Sequence, residues 1–349
     1  MTGRVAREVT GWVPDVLSGY QQRTLALGSD PAGEGDIVAT LIRRGSEPQH
    51  AGRGTIPAAH AVLAVHGYTD YFFHTELADH FAARGFAFYA LDLHKCGRSW
   101  RDGQTPHFIT DLTNYEAELD QALAGVAEHD RVLLYAHSAG GLIVSLWLDR
   151  LRRRDPAAHA RVGGLVLNSP FLDLPGPPIL RHSMTVALIA GLSRVRSKGV
   201  ARSPGDGGYG TTLHRDYGGD FDYNLQWKPV GGFPITFGWL HAIRRGQARL
   251  HRGLDVGVPN LILRSDRSVH EGTDSASMQC GDAVLDVTQI ARWAGCVGNR
   301  TAVVPVADAK HDVFLSLPEP RAVAYRELDL WLDGYLRTVN DAPASLRKG

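Results

Sequence analysis

Residues Val132–Gly141 read VLLYAHSAGG, an apolar run that passes through Ala136-His137-Ser138-Ala139-Gly140 into the helix-forming stretch LIVSLWLDRLRRR. A strand, a tight turn with a central serine and a helix form the context of a nucleophile elbow, G-x-S-x-G. Small residues flank such a serine because the turn brings strand and helix backbones close together. Ala136 stands where the pattern has its first glycine. A serine on this turn projects its Oγ above the sheet, and the helix N-terminus behind it favours developing negative charge. The plainer reading is an ordinary helix N-cap, a position serine favours.

The segments around the elbow repeat one alternation. His60–Val65 (HAVLAV) is apolar after its first residue, as suits a strand covered on both faces. A helix-like stretch, His74–Arg84, leads to the strand-like Phe86–Leu93, and another, Asp111–Glu128, leads to Val132–Ala136. Gly140–Arg153 then leads to Leu165–Asn168. This order predicts a mainly parallel α/β sheet with right-handed crossovers. Upstream, Tyr20–Leu27 and Ile37–Ile42 read as two further strands. The alternation stops at Pro170 and resumes at Asn260–Leu263, followed by a helix near Val287–Ala294, a strand Ala302–Val306 and a last helix Glu319–Leu336. The chain thus divides into a core of residues 1–172 and 256–340, an inserted lid of 173–255 and a flexible tail of 341–349. Within the lid, Ile179–Arg196 and Phe237–His251 read as helices and the Gly-rich Ser197–Asp220 as a polar loop.

A serine needs a base, and His311 lies just after the Ala302–Val306 strand, late in the chain where the order serine, acid, histidine requires it. Three carboxylates compete for the acid. Asp266 follows the Asn260–Leu263 strand directly, Asp282 lies 29 residues before His311, and Asp286 reads equally as a helix cap. Asp282 is preferred and Asp266 is the alternative. At the end of the earlier strand, His66-Gly67-Tyr68-Thr69 can set the Tyr68 N–H opposite that of Ala139 as a two-donor oxyanion hole. Gly67 would allow the close approach, and His66, Gly67 and His137 are the expected substrate contacts.

The 349 residues carry 37 basic and 37 acidic side chains, with 44% hydrophobic content. Balanced charge gives no general attraction for phosphate backbones, so nucleic acid is not an expected partner. The longest apolar stretch, Met184–Leu192, falls well short of the roughly 20 residues a bilayer crossing needs. The N-terminal stretch lacks the apolar block of a secretory signal. Cys96, Cys280 and Cys296 are odd in number and lack C-x-x-C spacing. They suit free thiols in a cytoplasmic setting, with a Cys280–Cys296 bridge as the alternative. No H-E-x-x-H or P-loop pattern is present, so neither metal nor organic cofactor is expected.

Together these residues resemble the serine α/β-hydrolases, specifically the monoacylglycerol lipase/lysophospholipase group of S33-type hydrolases. The likeness spans roughly Ala61 to Tyr335. The stretch from His66 to Ser99 is similar to that group's oxyanion loop and D-x-x-x-x-G-x-S turn, here Asp92 to Ser99. AHSAG matches G-H-S-M-G at His137, Ser138 and Gly140. Gly281–Asp286 fits the group's A-D-x-x-x-D acid motif, which favours Asp282, and DYNLQWKP before a helix resembles the group's lid. The resemblance implies hydrolysis of a carboxylic ester through an acyl-enzyme. An apolar acyl ester is the expected small-molecule partner, and the lid is the expected site of transient contact with a membrane surface. A change of leaving group to an amine or a lactone, or a non-catalytic ligand-binding role, are the competing readings.

Overall fold

The computed structural model describes residues 11–45, 59–205, 207–270 and 275–340; the tail expected at 341–349 lies outside the described residues. The strands, in chain order, are β1 (Val13–Pro14), β2 (Tyr20–Ser29), β3 (Asp36–Arg44), β4 (His60–Val65), β5 (Phe86–Asp92), β6 (Arg131–His137), β7 (Val162–Asn168), β8 (Val200–Arg202), β9 (Ile235–Thr236), β10 (Asn260–Ser265) and β11 (Thr301–Val306). Nine of them form one sheet in the order β1-β2-β3-β5-β4-β6-β7-β10-β11. From β5 to β11 every neighbouring pair is parallel, while β1, β2 and β3 extend one edge antiparallel. The fold is α/β, a mainly parallel sheet between helical layers.

Side-chain alternation explains why the central strands are apolar on both faces. Ala61, Leu63 and Val65 of β4 join one buried cluster, and Val62 and Ala64 join the other. In β6, Val132, Leu134 and Ala136 face the first cluster, and Leu133 and Tyr135 face the second. Burial on both sides demands apolar residues at every position, the run that marked these strands in sequence. Helices Glu116–Ala124 and Ala139–Arg154 cover the first face; Thr75–Ala83 and Pro318–Asn340 cover the second. Successive connections leave β4 toward opposite sides, to β5 and later to β6, which opens a crevice at their carboxyl ends. The elbow lies in that crevice.

Several elements differ from their sequence outline. The stretch Asp111–Glu128 divides into a 3-10 turn, Leu112–Tyr115, and a shorter helix, because the Asp111 carboxylate accepts from the Thr113 N–H and starts the turn locally. The Gly-rich stretch Ser197–Asp220 is built rather than loose. It contains β8, paired with β9, a helical turn Gly208–Thr211 and a 3-10 turn Arg215–Tyr217. Its glycines serve close packing, since a side chain at Gly210 would strike the Val230 backbone. Helix Phe237–Leu250 packs into the main core through Trp239, Ala242, Ile243 and Leu250, with Gly246 against Leu142 and Leu146. Helix Ser183–Val195 is the contrary case, leaving Met184, Leu188 and Val195 about two-thirds exposed or more. All three cysteines are free thiols, with Cys96 buried.

Gly140 and Gly141 are where strand and helix meet most closely. A Cβ on Gly140 would overlap the His66 carbonyl oxygen, and one on Gly141 would lie 2.7 Å from Pro170 Cβ. Both collisions are with parts of the chain that cannot swing away. Gly140→Ala is therefore expected to destabilise the fold by about 1–3 kcal/mol, read as a lower chemical-denaturation midpoint. An unchanged midpoint would contradict the packing described.

Candidate active site

Ser138 directly follows β6 with φ 52° and ψ −120°, a positive-φ conformation that a serine adopts only when its surroundings impose it. Its side chain makes no capping bond to the helix it precedes, so the N-cap reading is not realised. The Oγ lies 3.0 Å from His311 Nε2 instead. His311 Nδ1 lies 2.9 Å from Asp282 Oδ2. This pairing assigns the proton to Nδ1, which donates to the carboxylate, and leaves Nε2 to accept from the serine hydroxyl. Asp282 is fully buried, and its Oδ1 accepts from the Val284 and Leu285 N–H groups at 2.8 and 2.7 Å. Both carboxylate oxygens are thus fixed.

The route to Asp282 explains how a residue so far beyond β10 reaches the site. The Asp282 N–H donates to the Arg267 carbonyl, and the Val269 N–H donates to the Asp282 carbonyl. These bonds bring both ends of the polar stretch between them back to the strand's carboxyl end. Asp266 turns outward, accepting from the Asp308 N–H at 3.1 Å beside the Arg267 guanidinium. Asp286 caps helix Val287–Trp293 by accepting from the Thr288 N–H. Only Asp282 of the three meets His311.

Gly67 lies directly against the elbow: a Cβ there would be 2.9 Å from Ser138 Cβ and 3.3 Å from the His137 carbonyl oxygen. Tyr68 and Ala139 both line the cavity in front of Ser138. Ala139 is the first residue of its helix, so its N–H has no partner one turn back and is available to a ligand. His66 does not face that cavity. Its Nδ1 lies 2.8 Å from the Gly67 carbonyl and its Nε2 accepts from the Leu93 N–H at 3.0 Å. Both ring nitrogens are thus engaged, one with the loop itself and one with the backbone just after β5. His137 does line the cavity, with Nδ1 3.4 Å from Asp70 Oδ2.

Four residues that sequence reasoning passed over belong to the same surroundings. Asp70 is an ion-pair partner of Lys228 at 2.6 Å. Burial pushes its carboxyl up, but Lys228 and then His137 outweigh that and hold it well below the usual carboxylate range. Tyr209, from the Gly-rich stretch, accepts the Asp312 N–H on its hydroxyl and sets its ring edge-on to His311, 5.7 Å between centroids. Lys310, next to His311, donates from Nζ to the Thr212 carbonyl, and burial pushes its ammonium down to about 8. The available signal was the DYNLQWKP stretch for Lys228; nothing in local sequence marks the others.

The cavity measures about 490 Å³. Phe171, Leu174, Leu180, Ile189, Trp239 and Leu240 form much of its apolar wall, and Ser138 and His311 open into it. Its described lining includes the cations Arg202 and Lys228 and no carboxylate. No cluster of three or more metal-ligating side chains occurs among the described residues.

A parallel-centred sheet with a serine elbow at its crevice defines the α/β-hydrolase class. The chain belongs to the family described as serine aminopeptidase, S33, whose model matches residues 56–267. That match includes Ser138 but ends before Asp282 and His311. Among solved structures, a soluble variant of monoglyceride lipase from Saccharomyces cerevisiae, in complex with a substrate analog, is similar at 15% identity and a TM-score of 0.61. The match covers 96% of this chain and 99% of that one. Monoacylglycerol lipase from Paleococcus ferrophilus is similar at 20% identity and a TM-score of 0.57, covering 80% and 96%. An X-ray structure of a putative aryl esterase from Burkholderia cenocepacia is similar at 16% identity and a TM-score of 0.51, covering 90% and 100%. These likenesses concern the fold. No curated protein matches the chain.

The hydrogen-bond pattern separates the two leading acids. Asp282→Asn is expected to force the wrong His311 tautomer and lower kcat on an activated ester by about 10⁴-fold, whereas Asp266→Asn changes it by less than about threefold. A larger loss from Asp266→Asn would assign the acid to that residue instead.

Proposed function

We propose that the protein is a serine hydrolase that cleaves carboxylic esters of apolar acyl groups through an acyl-enzyme. The observation that carries this reading is the chain Ser138–His311–Asp282, opening into a largely apolar cavity. In the first half-reaction His311 Nε2 takes the Ser138 proton as Oγ attacks the ester carbonyl. The oxyanion accepts from the Tyr68 and Ala139 N–H groups. Collapse expels the alcohol, which takes the proton from His311, and leaves the acyl group on Oγ. Water then attacks in the same manner, giving up a proton to His311, and Ser138 leaves with that proton as the acid is released. Each oxyanion-hole donor is worth roughly 3–4 kcal/mol of transition-state stabilisation. These residues call for no cofactor.

The cavity lining favours an ester over an N-terminal peptide, the substrate an aminopeptidase takes. The wall of Phe171, Leu174, Leu180, Ile189, Trp239 and Leu240 matches an apolar acyl chain better than a charged α-ammonium. A volume of about 490 Å³ suits a medium or long acyl chain with a small alcohol, as in a monoacylglycerol or lysophospholipid. Residues 173–255 act as the lid in this reading. Exposed Met184, Leu188 and Val195, with Ile179 in the turn before them, give helix Ser183–Val195 and its entry an apolar outer face that touches a lipid surface transiently. No described helix is long and apolar enough to cross a membrane. Three free thiols accord with a cytoplasmic setting.

The expected substrate profile is specific. In a series of p-nitrophenyl esters and monoacylglycerols, kcat/KM rises with acyl length from acetate to at least octanoate, and aminoacyl amides turn over at least 100-fold more slowly, roughly two decades of discrimination being within reach of such pockets. Turnover of an aminoacyl amide ahead of every ester would instead establish a peptidase.

A further inference from the structure

Two segments far apart in sequence lie along each other in opposite directions. One is Tyr68–His74, which carries the Tyr68 amide; the other is Phe221–Trp239, in the second half of the inserted region. The His74 ring meets Phe221 edge-on at 5.8 Å, and Phe73 meets Tyr223 at 4.9 Å. The Tyr71 hydroxyl accepts from the Asn224 N–H at 2.7 Å, and its ring packs on Trp227 at 5.2 Å. Lys228 Nζ donates to Asp70 Oδ1 at 2.6 Å. The Phe233 N–H donates to Thr69 Oγ1 at 3.0 Å. The Tyr68 hydroxyl donates to the Pro234 carbonyl at 2.6 Å, and its ring lies 4.2 Å from Trp239. Every residue of the loop except Phe72 has a partner on this segment, and these pairings run in reverse order along it.

Such a loop needs support from outside. Thr69 holds φ 50°, a conformation that costs a branched residue free energy and persists only where neighbours impose it. Lys228 is itself nearly buried, its ammonium 5.5 and 5.8 Å from the Phe73 and Tyr223 ring centres. The second oxygen of Asp70 reaches toward His137, next to the nucleophile. A buried ion pair adds little net stability, but its strict geometry selects one register over the alternatives.

We propose that Phe221–Trp239 is a fixed strut that sets the oxyanion loop, and that Lys228, acting through Asp70, is a positioning residue for the Tyr68 amide. This rests on the reading of Ser138 as the nucleophile. The inserted region then has two different halves. Helix Ser183–Val195 rests on helix Phe237–Leu250 and turns Met184, Leu188 and Val195 outward, while the strut stays with the oxyanion loop, because its displacement would dismantle the hole.

The test compares the double variant Asp70→Asn/Lys228→Met, which leaves no unpaired buried charge, with Lys228→Arg and the wild type. For p-nitrophenyl butyrate and decanoate alike, kcat of the double variant is expected to fall about 10- to 100-fold with KM within about threefold, somewhat less than deleting a donor outright. The preference for an oxygen ester over its thionoester, which reports directly on the hole, falls about tenfold, and Lys228→Arg recovers most of both. Unchanged oxygen-to-sulfur preference with a raised KM would make Lys228 a substrate contact and overturn the proposal. Hydrogen exchange of the peptide spanning 66–74 is measured on the same proteins and is expected to accelerate in the double variant. If the wild type cleaves no ester, the functional reading fails, and exchange alone decides: an unchanged rate overturns the strut. Should the double variant not fold, Tyr68→Phe loosens the loop at its other end, and unchanged exchange there has the same meaning.

Discussion

The turn at Ser138 holds its positive-φ backbone because strand, loop and helix are closer together there than side chains would permit. Gly140 lies on the His66 carbonyl, Gly67 on Ser138 Cβ and Gly141 on Pro170. Each removes a methyl group where the chain passes close to a neighbouring segment, and in the turn so held the hydroxyl makes no capping bond to its own helix. The hydroxyl is presented to whatever stands above the sheet, which is His311. Relaxing any of these approaches would tilt Oγ away from Nε2 and move the Tyr68 and Ala139 amides relative to it. Carboxylate, imidazole, serine and amides therefore depend on a packing constraint before any of them acts as a chemical group.

Much of this was legible in the sequence for a physical reason. Strands buried on both faces must be apolar throughout, so β4, β6 and β10 announced themselves, and a serine between such a strand and a helix has few meanings. His311 was placed by chain order alone. Asp282 needed more, because its arrival depends on two backbone bonds to Arg267 and Val269 that no local pattern encodes. His66 is held between the Gly67 carbonyl beside it and the Leu93 N–H just after β5, a pairing across 27 positions that no local pattern encodes.

The inserted region was the least legible part, and the reason is again physical. Its contacts with the oxyanion loop are long-range pairings such as Asp70–Lys228 and Tyr68–Pro234, separated by 158 and 166 positions. Periodicity says nothing about them. The Gly-rich stretch illustrates the point: its glycines suggested looseness, yet Gly210 and Gly219 lie so close to Val230 and Leu213 that they are instead signs of tight packing. Reading the region as one mobile cover would miss that Trp239, Ala242 and Ile243 are core residues, while Met184 and Leu188 face outward.

The central claim is that Ser138 is an activated nucleophile. It is tested most directly by treating the folded protein with a fluorophosphonate probe and mapping the adduct by peptide mass spectrometry. The account predicts one adduct, on Ser138, that is lost in Ser138→Ala and strongly slowed in His311→Ala. A folded protein that takes up no probe, or takes it up at another residue, would contradict it.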